Sequence, residues 1–343
     1  MAQPEVPWYP PIAYPAAAKP SVLPVVEREY HEFYRAPAFR WWKPLVAIAM
    51  FAGTWFLASF ALTIPALAYD LNQGNLVWSE LAAGELKVTP VLFLANNLTI
   101  VAAIPLAWAA HRVVFGQRVR WLSSVEGRFR WRAFWRFTGV IAPLYLLSLV
   151  VETVAGGGLD GLAILPETWF LLASILLTTP LQCAGEEISL RGLGSRAIGS
   201  WFPSRRAGLV VATAVTAVVF MLLHGAGDPW LNGFYLVFAV CSSYLLWKTG
   251  GLEGSIALHV VNNLTSMVFL PFVGVDGIFD REAGVGNPWV LLQMAVILAA
   301  GALILWQARR LGLSTSAAPA APRGPANDSS LPAPGPAGSP RGV

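Results

Sequence analysis

Residues 183–192 read CAGEEISLRG and follow directly on the apolar run TWFLLASILLTTPL. Three ionisable side chains, Glu186, Glu187 and Arg191, therefore stand at the end of a segment otherwise suited to lipid. Two more polar sites occur in apolar runs: His224 closes VATAVTAVVFMLLH, and His259 and Asn263 lie inside GSIALHVVNNLTSMVFL. An ionisable group at the centre of a membrane helix costs about 2.5–3.5 kcal/mol on insertion scales, so each is a functional candidate. Glu187 and Arg191 are i and i+4 and share a helix face, where they can pair. Glu186 is turned about 100° away and meets a different neighbour. His259 and Asn263 repeat the i, i+4 spacing, as do Phe220 and His224, which sets a ring beside an imidazole.

A carboxylate and a histidine can hold and deprotonate a water molecule. A second histidine and an amide can donate to a developing oxyanion. Together these are the groups needed to hydrolyse a peptide bond. Glu186, His224 and His259 could instead ligate zinc, whose bound water would be the nucleophile. The residues do not separate the two. Taken singly, each pattern has a plainer meaning: EExxxR is a common ion pair at a helix end, and a lone histidine can satisfy a backbone carbonyl. Their occurrence in order, in three separate apolar segments of a chain with four histidines, favours chemistry.

The elements that must position these residues are membrane helices. Hydrophobic residues make up 56% of the chain and charged residues only 12%, about half the charged share of a soluble domain. Several windows of about 20 residues are nearly free of charge, the length that crosses a bilayer core. The expected fold is all-α and polytopic, with eight spans near 43–68, 91–110, 137–155, 168–185, 207–225, 230–247, 252–271 and 289–306. Eight spans place both termini on one side, and that side then carries 21 of the 23 Lys and Arg residues. The opposite connections keep only Lys87 and Arg281 but hold nine acids. By the positive-inside rule both termini are cytoplasmic.

Residues 1–40 read as a flexible Pro-rich arm, 41–312 as the membrane domain, and 313–343 as a disordered Pro/Ala/Gly-rich tail. The segment 119–137 mixes arginine with tryptophan and phenylalanine and is expected to lie as an amphipathic helix on the membrane surface. Its position between two spans makes lipid, and not nucleic acid, the partner. Cys183 and Cys241 form no disulfide framework.

GEEISLRG, FMLLH and HVVNN resemble the EExxxR, FxxxH and HxxxN motifs of the CPBP family, which holds the CAAX prenyl endopeptidases and the bacteriocin-processing or Abi proteins. The resemblance covers about residues 165–272. It implies a CAAX-protease-like bundle, an intramembrane endopeptidase acting on a membrane-associated or lipidated peptide, in a bacterial plasma membrane, with its cavity open to the cytoplasm. By motif position, Glu186 would activate water with His224, and Glu187 and Arg191 would orient the first motif. His259 and Asn263 would stabilise the oxyanion, with Phe220 as a packing residue and zinc as a possible cofactor. A non-proteolytic scaffold or immunity protein of the same fold is the alternative, and a transporter is disfavoured because no internal repeat is visible. One conflict follows from the span limits: His224 falls near the outer face and Glu186 near the inner one.

Overall fold

The computed structural model describes residues 19–84, 87–275 and 282–321. Eight helices are long and apolar enough to cross a membrane: α1 (Lys43–Gln73), α2 (Pro90–Phe115), α3 (Trp131–Ala155), α4 (Thr168–Gly199), α5 (Arg205–Leu223), α6 (Pro229–Thr249), α7 (Glu253–Val273) and α8 (Val290–Leu311). The chain is an integral, all-α membrane protein, and the eight spans fall in the expected order. Exposed tryptophans ring both ends, with Trp41, Trp42, Trp131 and Trp135 at one and Trp78, Trp169 and Trp289 at the other. Such belts sit at the two membrane–water boundaries.

The largest departure is in α4. It does not stop near residue 185 but continues to Gly199, passing through a π-helical stretch at Glu187–Gly194. Glu186 is then 13 residues from the end of α4, about 20 Å along its axis, and His224 lies 19 residues beyond Arg205, about 28 Å along α5. The two depths approach one another, and the conflict disappears. The charges that seemed to end the span are inside it: Glu187 and Arg191 are fully buried and paired at 3.4 Å. Arg196, also buried, has its guanidinium 3.8 Å from the Tyr30 ring centre and 4.8 Å from that of Phe33.

α7 is the central post. Every residue from Glu253 to Asn262 is buried, and α3, α4, α6 and α8 all pack against it. α1 pairs mainly with α2 and leaves most of its surface to lipid. Gly185 allows α2 to come close to α4, since a Cβ there would strike the Ile100 carbonyl. At Gly192 a Cβ would meet only ordinary contacts, so the same argument does not apply.

The basic end of the bundle is closed by segments expected to be loose. Within the arm, Tyr30, His31, Glu32, Phe33 and Tyr34 are buried. Strand β1 (Arg28–Glu29) pairs antiparallel with β2 (Ser316–Ala317), tying the arm to the start of the tail. Residues 1–18 and 322–343 lie outside the described residues. The expected surface helix at 119–137 is also corrected: Val119–Leu122 is a single 3-10 turn, and Trp131 already begins α3. Between them Ser124 bridges to Gly251, and Arg130 is drawn inward to Glu253 at 2.6 Å. A buried carboxylate at the start of α7 requires that partner, which removes Arg130 from the lipid surface.

Candidate active site

The three motifs converge on one cavity of about 540 Å³, enclosed by α1, α2, α4, α5, α6 and α7. Glu186, Phe220, His224, His259 and Asn263 line it. Glu187 and Arg191 do not; they stand behind it, in the protein interior. The i, i+4 spacing and the turn between the two glutamates thus divide their work by direction.

Behind the wall, His259 Nδ1 lies 3.0 Å from Glu187 Oε1. A carboxylate accepts, so Nδ1–H donates and Nε2 is turned toward the cavity, 3.8 Å from Glu186 Oε2. Glu187 also meets Arg191, whose guanidinium covers the Phe220 ring at 4.4 Å. Phe220 does more than fill space: it stacks on Phe238 and lies beside both imidazoles, 4.5 Å from His224 and 6.0 Å from His259 between ring centres.

His224 Nδ1 is 2.8 Å from the Phe220 carbonyl. That bond fixes the tautomer with the proton on Nδ1, which leaves Nε2 as an acceptor. Tyr235 stacks on the ring at 4.0 Å between centres. Glu186 Oε1 accepts from Gln182 Nε2, and Glu186 Oε2 has no hydrogen-bond partner within the protein. Gln182 in turn accepts from Asn263 Nδ2 at 3.5 Å. Asn262 Nδ2 donates to Asn263 Oδ1 at 3.1 Å, and Tyr145 donates to Asn262 Oδ1 at 3.4 Å. A chain of side-chain amides therefore runs from α3 through α7 to Glu186 on α4.

Of the seven residues expected from the sequence, five line the cavity and Glu187 and Arg191 stand behind it; Gln182, Tyr235, Asn262 and Tyr145 were not among those expected. Gln182 carried a legible signal, since it is an amide one helical turn before Glu186 in an apolar run. The donor atoms of Glu186, His224 and His259 do not gather as a metal-ligand triad. Among the described residues, the group whose donors all lie within 4.8 Å of one another is Glu29, His31 and Glu32, at the basic end. There Glu32 is already paired with Arg28 and Arg205, which makes the group an ion-pair knot.

A carboxylate and two imidazoles are thus recessed together in one cavity of the bundle. Residues 168–265, the stretch that holds all three motifs, match the family model described as type II CAAX prenyl endopeptidase Rce1-like. The match covers less than half of the chain, and the remaining spans lie outside it. The chain is also 24% identical to YyaK of Bacillus subtilis (strain 168), described as an uncharacterized protein, over 77% of this chain and 91% of that one. No solved structure matches.

Proposed function

We propose that the protein is an intramembrane endopeptidase that hydrolyses a peptide bond of a membrane-associated or lipidated chain through a water molecule held by Glu186 and His224. The observation that carries this reading is the single cavity faced by Glu186, His224, His259 and Asn263, with the Glu187–Arg191 pair behind it.

Glu186 Oε2 takes a proton from the water, while His224 Nε2 accepts a hydrogen bond from its other hydrogen. The oxygen attacks the scissile carbonyl, and the charge that develops there is met by Asn263 Nδ2–H and by His259 Nε2–H when the ring carries both protons. Glu187, receiving the Nδ1–H, supports that doubly protonated ring. Glu186 then passes its proton to the departing nitrogen as the C–N bond breaks. Arg191, buried against Glu187, holds the supporting carboxylate behind the wall and out of the cavity. The donor atoms of Glu186, His224 and His259 do not gather closely enough to suit a single zinc ion.

The test uses purified protein in detergent and a fluorogenic reporter peptide. Glu186→Gln and His224→Ala should each abolish cleavage, and turnover should persist in excess chelator. Unchanged turnover in both variants rejects the reading. Wild-type protein that binds peptide and never cuts it makes the chain a scaffold.

A further inference from the structure

The cavity has a direction. Of the side chains that line it, only Asn96 and Leu223 are exposed. Asn96 lies six residues from the start of α2 and Leu223 is the last residue of α5, both at the end of the bundle away from the basic connections. The helices that carry the second and third motifs are short: α5 has 19 residues, and the regular part of α7, Glu253–Ser266, has 14. Against them stand α1 with 31 residues and α4 with 32. At 1.5 Å per residue the difference in length is roughly 20 Å or more. The start of α4 is covered by the 267–275 segment, where Thr168 donates to the Pro271 carbonyl, and the part of the wall left open lies along α1 and α2. α1 contributes a stripe to that wall, Phe51, Trp55, Ser59 and Thr63 at successive i+4 positions.

The other end is shut. Arg130 and Glu253 lock α3 to α7, the arm covers Arg196 with Tyr30 and Phe33, and β1–β2 closes over them. That shut end carries the basic connections. Among the described residues, Lys87 is the sole Lys or Arg in the connections at the open end. By the positive-inside rule the open end is the non-cytoplasmic one, opposite to what the family resemblance implied.

We propose that the cavity admits its substrate from the non-cytoplasmic half of the bilayer, through the gap between α2 and α5 rimmed by Asn96 and Leu223. This rests on the reading of the cavity as catalytic. The occupant is a locally unwound stretch of a membrane-inserted chain, with its scissile bond in that half. Unwound backbone in a membrane needs hydrogen-bond partners from protein, and Asn96, Ser59 and Thr63 supply polar groups along the path to Glu186.

The experiment is thiol labelling with a membrane-impermeant maleimide in right-side-out and inverted vesicles, in a Cys241→Ser background with the buried Cys183 retained. Asn96→Cys and Leu223→Cys are probed beside Ser204→Cys, an exposed position at the basic end. The rim positions should label at least about tenfold faster in right-side-out vesicles, and Ser204→Cys should show the reverse. Rim and reference labelling from the same face overturns the proposal, as does failure of both rim positions to label from either face. The two rim variants lie on different helices, so misfolding of one leaves the other informative. Labelling does not depend on turnover: a non-cleaving protein with the expected pattern rejects the protease assignment and keeps the access route. In a cleaving protein, Asn96→Trp should lower kcat/KM at least tenfold for a membrane-inserted reporter.

Discussion

Two buried Arg–Glu pairs, one at the sealed end and one behind the cavity, are built in opposite ways. Arg130 and Glu253 meet bidentately at 2.6 and 3.1 Å, Glu253 also accepts the Arg130 backbone N–H at 2.8 Å, and the Thr249 carbonyl takes a further guanidinium N–H. Arg191 and Glu187 touch once, at 3.4 Å, and none of the Arg191 guanidinium nitrogens has a hydrogen-bond partner in the protein. The first pair is fully used in joining two helices. In the second, the arginine rests on Phe220 and neutralises Glu187 from a distance, so that the carboxylate's close hydrogen bond goes to His259. A buried pair made loosely leaves its members available to the groups beside them.

The largest expected effect tests whether the loose region is the working one. Glu186→Gln removes the base while the amide can still receive from Gln182, and the rate should fall by about 10²–10⁴ with the melting temperature in detergent unchanged. Arg130→Ala should instead destabilise the protein by about 3–5 kcal/mol, measured by denaturant titration in mixed micelles, with residual folded protein retaining its kcat. A double-mutant cycle sharpens the contrast: the coupling of Arg130 with Glu253 should exceed that of Arg191 with Glu187, and equal couplings would break it. Gln182→Leu frees Glu186 Oε1, and kcat should drop about tenfold (about 1.4 kcal/mol) with KM held. A merely structural role for Gln182 would leave the pH–rate profile of that variant where the wild type has it.

The smallest effect belongs to pH at the sealed end. Burial holds the His31 imidazole below its ordinary range despite the Arg205 carbonyl it contacts. A folded-state value below the unfolded one contributes stability that is complete above about pH 6.5 and lost as pH falls below it. His31→Gln should flatten the melting temperature between pH 7 and 5, and an unaltered slope would remove His31 from the account.

The eight spans were legible because charge is scarce and segregated, and no packing detail is needed to read that. The end of the fourth was not, because hydropathy cannot see that Glu187 and Arg191 cancel each other or that Arg196 lies on aromatic rings from a segment about 160 residues earlier. The same blindness hid the packed arm: Tyr30, Phe33 and Tyr34 sit in a short, proline-flanked stretch with no periodicity to mark it. At the site the charged and imidazole side chains stood out by type, while the amides Gln182 and Asn262 did not, although Gln182 is also four residues from its partner Glu186. Asn262 and Tyr145 acquire meaning only when α3 and α7 are side by side.

The β1–β2 pairing has a consequence for how the molecule is made. Its strands are 288 residues apart, Arg28 opposite Ala317 and Glu29 opposite Ser316, so the latch cannot close until the last helix has left the ribosome. At about 5–20 residues per second the arm waits roughly 15–60 s after its own synthesis. Over that interval every helix of the bundle is inserted with the cover at its basic end still open, and closure of a two-residue ladder marks the completed bundle.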